Sequence, residues 1–292
     1  MSVAPLPIPT PPPPSEESLE GPKVLLIGPG GNGKTRSLGT LADWCAKHQK
    51  KMVVLFIEKS RDVFFGYWRD RGLPIPPGIY THTVSKPPLS LKDLQSGATK
   101  TGQLSFQALT QSIDPDRSKR NPVETLLNAL ADLKDDRTGE KLGNIDQMGP
   151  DWAFALDSMT ELSDAYMKMV IGNRPTASQS DYLVAQNNLM NLLRYLTQGL
   201  KCTVAMTAHV DREMNPLTQT TIITVKAIGK AIATEIPPLF SDVVYCQREG
   251  AKFSWSNTTF GVDTKARYLP YEKELEPDFA QIMDLWVKRG GK

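Results

Sequence analysis

Apolar runs of strand length alternate with helical segments along most of this chain of 292 residues. Four runs have the character of buried strands: "VLLI" at 24–27, "KMVVLFIEKS" at 51–60, "WAFALD" at 152–157 and "CTVAMTAH" at 202–209. They are continuous rather than alternating, which is typical of strands covered on both faces. Strands separated by helices predict an α/β fold with a mostly parallel sheet flanked by helices.

The other segments extend this alternation. Helices are predicted at residues 36–48, 61–72, 122–136 and about 182–199, and in the first half of 229–240. Further strands are predicted at residues 78–85, 241–249, 252–258 and 266–270. Residues 136–150 and the polar, threonine-rich residues 210–225 have the composition of loops.

Two stretches do not fit the alternating pattern. Residues 4–21 are rich in proline and then in glutamate, which is typical of an extended tail. That tail is interpreted either as a docking peptide for a partner or as a simple linker. Residues 86–121 are rich in turn-forming and charged residues, so we expect an irregular insertion there. The sequence therefore predicts a disordered tail over residues 1–21 and one α/β core, including the insertion, over residues 22–292.

Composition is that of an ordinary globular protein. Hydrophobic residues make up 40% of the chain and charged residues 23%, which is enough for a sizeable core. No stretch approaches the roughly 18 apolar residues of a membrane span, and the N-terminus lacks the regions of a signal peptide. The three cysteines are far apart and have no histidine at ligand spacing, so neither a disulfide framework nor a zinc site is indicated. We therefore expect a cytoplasmic protein without membrane contact.

The charge balance limits the kind of nucleic-acid contact that we expect. The net charge is +2, and the first twenty residues contribute only negative side chains. A mildly basic chain of this kind does not coat nucleic acid as a polycation does. Any contact with DNA would come from a local patch or from many subunits acting together.

The strongest chemical signal is the octapeptide "GPGGNGKT" between a predicted strand and a predicted helix. It fits the pattern G-x-x-x-x-G-K-[ST], in which glycines let backbone N–H groups surround a polyphosphate. Lys34 is predicted to contact the β- and γ-phosphates of ATP, and Thr35 to coordinate Mg²⁺. Phe64 or Phe65 is the candidate to stack on adenine, with core packing as the alternative. The residues predicted to bind the nucleotide are Gly28, Pro29, Gly30, Gly31, Asn32, Gly33, Lys34, Thr35 and Arg36.

Polar residues follow three other predicted strands. Asp157 is the candidate second ligand of Mg²⁺, and a cap at a strand end is the alternative. Glu58 is the candidate to deprotonate the attacking water, and a solvated strand end is the alternative. His209 would contact the γ-phosphate and report its loss, or would be a structural residue. Because the carboxyl ends of parallel strands share one edge, we expect these residues to lie together.

The order of these features resembles the RecA/RadA/KaiC-like ATPases. A P-loop is followed by a glutamate after the second strand, a hydrophobic strand with "DS", a polar residue after the next strand and a late Lys-x-Arg pair. The segment "LDSMTEL" at residues 156–162 is more narrowly similar to the RecA-core-only ATPases of bacteriophages, including the Sak-type single-strand annealing recombinases. The resemblance runs from about residue 22 to the C-terminal region, and it implies a RecA-like P-loop NTPase core that hydrolyses ATP.

The resemblance also implies roles for individual residues. Glu58 would activate water, and His209 would couple the γ-phosphate to a mobile DNA-binding loop at residues 210–225. Lys265 and Arg267, in a predicted strand, would reach the γ-phosphate of a neighbouring subunit, and a solvated strand edge is the alternative. RecA carries an N-terminal helix and strand that dock on the next subunit, whereas a proline-rich tail stands there in this sequence. The resemblance implies a homo-oligomer, and because of this departure the sequence does not decide between a ring and a filament.

Three functions are compatible with these features. The first is an oligomeric, DNA-stimulated ATPase that binds single-stranded DNA in phage recombination, by annealing or strand exchange, with a phage or host single-strand-binding protein as a further partner. The second is an ATP-driven switch or loader that acts on a protein partner without DNA affinity of its own. The third is a small-molecule kinase. Kinases of this fold normally carry an arginine-rich lid over the acceptor, and this sequence has no such cluster after its late helix. Residues 210–225 contain Arg212 but no Phe, Tyr or Trp, so the usual base-stacking platform is missing from that segment.

Overall fold

The computed structural model describes residues 19–84, 91, 95, 122–172, 174, 176–214 and 219–292. The predicted insertion at residues 86–121 lies outside the described residues, apart from Leu91 and Gln95. The predicted tail lies outside them as far as residue 18. Both predictions therefore stay predictions.

The last residues of the predicted tail belong to the fold. Leu19 pairs with Gly291 in a parallel bridge, and the Gly21 N–H donates to the carbonyl oxygen of Lys201 at 3.0 Å. Backbone groups paired in this way are part of the folded domain. Leu19 and Gly21 are therefore attached to the folded part of the chain.

Eleven strands are formed by the described residues. They are β1 (Lys23–Ile27), β2 (Lys51–Phe56), β3 (Ile79–Thr83), β4 (Leu133–Lys134), β5 (Lys141–Gly143), β6 (Trp152–Asp157), β7 (Thr203–Ala208), β8 (Val210–Met214), β9 (Thr221–Val225), β10 (Asp242–Glu249) and β11 (Lys252–Ser256). The central sheet has the order β11-β10-β1-β7-β6-β2-β3, and all neighbours are parallel except β10 and β11. The four continuous apolar runs are the adjacent interior strands β1, β7, β6 and β2, as expected for strands buried on both faces.

Helices cover both faces of this sheet. They are α1 (Lys34–Lys47), α2 (Arg61–Arg69), α3 (Pro122–Ala131), α4 (Met159–Ile171), α5 (Gln179–Arg194), α6 (Lys230–Glu235) and α7 (Ala280–Lys288). Because side chains alternate along a strand, Leu25 and Ile27 of β1 belong to the core under α3, α4 and α5, while Val24 and Leu26 belong to the core under α1, α2 and α7. The predicted α/β class with a mostly parallel, helix-flanked sheet is confirmed. None of the described helices is long and apolar enough to cross a membrane.

Three predicted helices have ends that differ from the structure by three residues or more. The helix predicted at 61–72 ends at Arg69. The helix predicted at 122–136 ends at Ala131, because the chain then turns into β4. The helix predicted at 182–199 begins three residues earlier, after Ser178, which forms a capping box with Asp181. Its regular part ends before a π-helical turn that precedes β7.

The segment at residues 136–150 was predicted to be a loop, and this was wrong in part. It contains β5, which pairs antiparallel with β4, and a 3₁₀ turn. The buried carboxylate of Asp135 anchors this hairpin, since Oδ1 accepts the Thr81 N–H of β3 at 2.9 Å and Oδ2 accepts the Thr138 hydroxyl at 3.0 Å. Gly139, with φ of 73°, makes the turn.

The segment at residues 210–225 is a β-hairpin rather than an irregular loop in its described part. β8 and β9 pair antiparallel over five residues each, and residues 215–218 between them lie outside the described residues. Ile223 and Val225 are buried while Ile222 is exposed, which is the period of two of a strand with one covered face. The polar composition of the segment concealed this alternation.

The strand predicted at residues 266–270 is not formed. Lys265 alone joins β10, through an isolated antiparallel bridge. The fully buried carboxylate of Asp242 accepts the backbone N–H groups of Arg267 and Tyr268, both at 2.8 Å. These two bonds from consecutive N–H groups to one oxygen turn the backbone away from an extended path.

Close packing between α1 and α2 fixes the helix that follows the glycine-rich turn. Gly39 of α1 lies against the ring of Tyr67 in α2, and a Cβ at Gly39 would be 2.3 Å from Tyr67 Cγ. Trp68 Nε1 of α2 also donates to Asp43 Oδ1 of α1 at 2.7 Å. A residue without a side chain is therefore required at this contact.

Gly39→Ala is expected to lower the free energy of unfolding by about 1–3 kcal/mol, because its methyl group overlaps with the Tyr67 ring. A decrease in the free energy of unfolding would be informative, since alanine normally stabilises a helix interior by about 1 kcal/mol relative to glycine. Gly66→Ala in α2 is the matched control, because its Cβ would meet Arg69 Nη2 at an ordinary 3.5 Å. Urea denaturation of both variants checks this. A gain in stability at both positions would show that α1 and α2 do not need close contact.

Candidate functional site

The ends of four parallel strands bring the predicted site residues to one edge of the central sheet. β1 ends directly before Gly28, β6 ends at Asp157 and β7 ends one residue before His209. Glu58 lies two residues beyond the end of β2. The strand register is continuous across β1, β7, β6 and β2, so these residues lie at one level. The expected convergence of Gly28, Glu58, Asp157 and His209 is therefore observed.

The turn between β1 and α1 requires glycine at several positions. Gly31 and Gly33 have φ of 76° and 81°, which L side chains rarely adopt. A Cβ at Gly28 would lie 2.6 Å from the carbonyl oxygen of Cys246 on β10. Asn32 Nδ2 donates to the same carbonyl at 3.0 Å. The turn is thus held tightly against β10 just before the N-terminus of α1, where backbone N–H groups have no partner within the helix.

Lys34, the first residue of α1, folds back over this turn. Its side-chain Nζ donates to the carbonyl oxygens of Gly28 at 2.7 Å and Pro29 at 2.8 Å, and the residue is 7% exposed. Burial lowers the pKa of Lys34, while the nearby carboxylates of Asp157 and Glu58 act in the opposite direction. The ammonium group therefore lies over the turn, with neutral carbonyl oxygens as its hydrogen-bond acceptors.

Asp157 is 2% exposed, and three hydroxyl groups donate to its carboxylate. Oδ2 accepts from Thr35 Oγ1 at 2.9 Å and from Ser60 Oγ at 2.6 Å, and Oδ1 accepts from Thr207 Oγ1. Burial raises the pKa of Asp157, the three hydroxyl donors lower it, and the charge of Glu58 raises it further. The carboxylate is thus oriented by groups from α1, from the start of α2 and from β7.

Glu58 is the more accessible carboxylate of the site. Its side chain is 27% exposed, and its Oε1 accepts a hydrogen bond from Ser158 Oγ and lies 3.5 Å from His209 Nε2. The backbone N–H of His209 donates to Thr160 Oγ1 at 2.9 Å. The peptide bond between Asp157 and Ser158 is cis. Ser158 is the N-cap of α4, so Asp157 does not have the capping role that was its alternative.

Three hydroxyl residues of the site were not predicted from the sequence: Ser60, Ser158 and Thr207. Serine and threonine are common beside strand ends, so Ser60 and Ser158 carried no signal of their own. Thr207 did carry one, because a polar side chain inside a buried strand needs a hydrogen-bond partner. Its position in β7, next to the end of β6, could have identified Asp157 as that partner.

The residues of α1 and α2 that were predicted to contact the nucleotide lie in different environments. Phe64 is fully buried in the core, which is the alternative role that the sequence offered for it. Phe65 is partly buried, and the guanidinium of Arg61 lies 5.4 Å from its ring centre. Arg36 Nη1 donates to Asp70 Oδ2 at 2.7 Å on the surface. Arg36 is therefore paired with the end of α2 rather than directed into the glycine-rich turn.

Lys265 and Arg267 are not brought to the glycine-rich turn of their own chain. Lys265 Nζ donates to the carbonyl oxygen of Phe240 at 2.6 Å, before β10 begins. Its backbone pairs with Val243, whereas the turn contacts Cys246, about 10 Å further along β10. Both side chains are exposed. Any contact of these two cations with a nucleotide would therefore lie outside the site of their own chain.

The described residues contain no group of three or more His, Cys, Asp or Glu side chains that could hold a metal ion. Mg²⁺ does not require such a group, since it keeps several waters and takes one or two carboxylates together with substrate phosphates. The adjacent oxygens of Thr35 and Asp157, 2.9 Å apart, are donors of the type that it prefers. The site is therefore compatible with Mg²⁺ bound together with a phosphorylated ligand.

No protein-family model matches the chain, and no curated protein is significantly similar to it in sequence. A function is therefore inferred from the residues and geometry at this sheet edge. Three observations matter most: the glycine-rich turn, the buried Asp157 beside Thr35, and the accessible Glu58 beside His209.

Thr207→Val is expected to lower the free energy of unfolding by about 1–2 kcal/mol near neutral pH, because a buried carboxylate loses a hydroxyl donor. Burial raises the pKa of Asp157, so ionisation is disfavoured in the folded state and the loss should shrink as the pH falls toward about 4. Thr207→Ser keeps the hydroxyl and is the control. Denaturant titrations at the two pH values measure this. A loss of equal size at both would mean that Thr207 acts by packing alone.

Proposed function

We propose that the protein binds and hydrolyses ATP with Mg²⁺ and acts as an oligomeric, single-stranded-DNA-binding ATPase of phage recombination, in annealing or strand exchange. The proposal assigns the helix-flanked sheet to a RecA-like P-loop NTPase core. The observation that carries it is the hydrogen bond from Thr35 to Asp157 at 2.9 Å. This bond joins the glycine motif to the carboxylate at a nearby strand end, as a phosphate and metal site requires.

The glycine-rich turn and Lys34 support polyphosphate binding. The turn leads directly into α1, and the N-terminus of a helix favours anions through its free N–H groups and its dipole. Lys34 Nζ already lies over the turn, bound to two carbonyl oxygens. Phosphate oxygens would replace these neutral acceptors with charged ones, which form stronger hydrogen bonds.

Thr35 and Asp157 are the residues that would hold Mg²⁺. When bound there, the ion would neutralise charge on the β- and γ-phosphates during transfer. Ser60 and Thr207 contribute by fixing the orientation of the Asp157 carboxylate. Burial raises the pKa of Asp157, and the hydroxyls of Ser60 and Thr207 lower it. These two hydroxyls therefore favour the ionised carboxylate that a cation requires.

Glu58 is the proposed general base. It is 27% exposed, whereas Asp157 is 2% exposed, so water reaches Glu58 and not Asp157. Ser158 and His209 both approach Oε1 of Glu58. They thereby orient the carboxylate so that Oε2 is the oxygen offered to a water molecule.

His209 is the residue proposed to couple the γ-phosphate to the hairpin of β8 and β9. A Cβ at Gly30 in the glycine-rich turn would be 3.9 Å from His209 Cε1, so the imidazole lies beside the turn as well as beside Glu58. β8 begins at the next residue, and the Lys226 N–H after β9 donates to the His209 carbonyl at 2.9 Å. Both ends of the hairpin are therefore attached at His209.

The exposed side of this hairpin is the proposed DNA contact. Ile222 is 43% exposed on this side, and Met214 at the end of β8 is 70% exposed. Phe260, which is 83% exposed, directly precedes Gly261, whose carbonyl accepts the Ile223 N–H of β9 at 2.7 Å. An exposed aromatic ring can stack on a base. Phe260 would thus supply the aromatic group that the hairpin lacks in its described part.

Oligomerisation is proposed because Lys265 and Arg267 cannot serve the site of their own chain from their position. Both are exposed, so they are accessible to a neighbouring subunit. Cations that reach a γ-phosphate across a boundary stabilise the charge of the transition state. The assembly would then be active only when neighbouring subunits are in contact.

An ATP-driven switch or loader that acts on a protein partner is the second candidate. The charges of β8 favour it, because Asp211 and Glu213 flank Arg212 and offset its attraction for phosphate. Glu213 also pairs with Lys230, at 2.9 Å. The two candidates share the ATPase site and differ in what the hairpin contacts.

Lys34→Ala and Glu58→Gln are expected to abolish hydrolysis in different ways. Lys34→Ala removes the cation over the turn, so Mg²⁺-dependent ATP binding should be lost. Glu58→Gln keeps the shape and loses the base, so ATP should still bind while turnover falls at least about 100-fold. Equilibrium binding and steady-state hydrolysis distinguish the two, with exposed Glu140→Gln as the control. Turnover at the parental rate in Lys34→Ala would contradict the nucleotide site altogether.

Single-stranded DNA is expected to raise the hydrolysis rate several-fold, and the effect should weaken as salt increases, because contacts to phosphates release counterions. The rate per subunit should also rise with protein concentration. Mixing Lys34→Ala with Lys265→Ala/Arg267→Ala should restore part of the activity, since each variant keeps what the other lacks. Phe260→Ala should reduce the DNA effect, and Tyr182→Ala on α5 should not. If the protein hydrolyses ATP at a rate that single-stranded DNA does not change, the switch or loader would be favoured.

A further inference from the structure

The nucleobase has a candidate contact on the flank of the glycine-rich turn that faces away from Asp157. We propose that the ring of Phe253 in β11 stacks on the base of the bound nucleoside triphosphate. This inference rests on the function proposed above and adds the residue that recognises the base. Four structural features support it: the sheet order, the length of β10, the contact of Phe253 with the turn, and the Arg248 guanidinium over its ring.

The direction of the triphosphate follows from the order of the strands. Thr35, Asp157 and Glu58 place the γ-phosphate on the side of β7, β6 and β2. β10 and β11 lie on the other side of β1. The ribose and base follow the α-phosphate, at the opposite end from Glu58. They therefore extend toward β10 and β11.

The hairpin of β10 and β11 rises beside the turn. Ile27, the last residue of β1, pairs with Tyr245, and β10 continues past that level. Phe253 pairs with Arg248 in this extension. Phe253 Cδ1 would be 3.0 Å from a Cβ at Gly33, so the ring is in contact with the turn itself.

The face of the Phe253 ring is approached by a planar group. The residue is only partly buried, and the guanidinium of Arg248 lies 5.2 Å from its ring centre. A nucleobase is also planar, and base–aromatic stacking is favourable for any base. Arg248 is exposed and is held by a single bond from Nε to the Gly250 carbonyl at 2.8 Å, so it can move aside or cover the far face of the base.

Other aromatic residues of the described core are less suitable. Phe64 and Trp255 have no exposed surface. Phe65 has two guanidinium groups near its ring centre, those of Arg61 at 5.4 Å and Arg137 at 5.6 Å, whereas Phe253 has that of Arg248. The expectation that adenine stacks on Phe64 or Phe65 is replaced here by Phe253.

The test compares ATP with tripolyphosphate, which carries three phosphates and no base. In the presence of Mg²⁺, Phe253→Ala should weaken ATP binding about ten-fold and leave tripolyphosphate binding unchanged, as measured by calorimetry. Phe253→Leu should do the same while keeping the apolar bulk against the turn. Phe253→Tyr keeps the ring and should match the parent protein. Tyr271→Ala removes a 73% exposed aromatic residue elsewhere and serves as the control.

The possible results separate this inference from the function on which it rests. Parental ATP affinity in folded Phe253→Ala and Phe253→Leu would overturn the base contact and leave nucleotide binding intact. Equal weakening of ATP and tripolyphosphate would overturn it as well, because the ring would then act only by packing against the turn. Failure of the parent protein to bind either ligand would contradict the proposed function, and the base contact with it.

Discussion

The buried carboxylate of Asp157 is the constraint on which the site depends. A charged group at this depth costs free energy unless hydrogen bonds satisfy it. Its three donors come from three separate elements: Thr35 from α1, Ser60 from the start of α2 and Thr207 from β7. Satisfying one carboxylate therefore fixes both helices and a neighbouring strand around the end of β6. The glycine-rich turn is positioned by the same bonds, because it leads directly into α1.

Exposure increases outward from that carboxylate, and the chemistry proposed for each residue follows this order. Asp157 is 2% exposed and suited to orienting a cation, whereas the side chains of Glu58 and His209 are 27% and 34% exposed and can exchange protons with water. Ser158 links the two levels, since it follows Asp157 and donates to Glu58. His209 then connects the site to the hairpin of β8 and β9. The path from the glycine-rich turn to the exposed hairpin is therefore short.

The local parts of this arrangement could be predicted from the sequence, and the long-range parts could not. Continuous apolar runs identify the four interior strands, and the glycine pattern identifies the turn, because both signals lie within a few residues. The β4–β5 hairpin instead depends on Asp135 accepting from Thr81. Residues 266–270 have the composition of a strand, but Asp242 bends the segment. Thr207, a partner of Asp157 that is distant from it in sequence, was also missed, although a polar side chain inside a buried strand indicates that it needs a partner.

The most direct test of a phosphate site at this sheet edge is amide hydrogen exchange of the full-length protein with and without ATP and Mg²⁺. The account predicts slower exchange in peptides that cover residues 28–37, with smaller protection around residues 57–60 and 157–160. Lys34→Ala should show none of these changes. Unchanged exchange across residues 28–37 at saturating ATP, or the same protection in Lys34→Ala, would contradict the account.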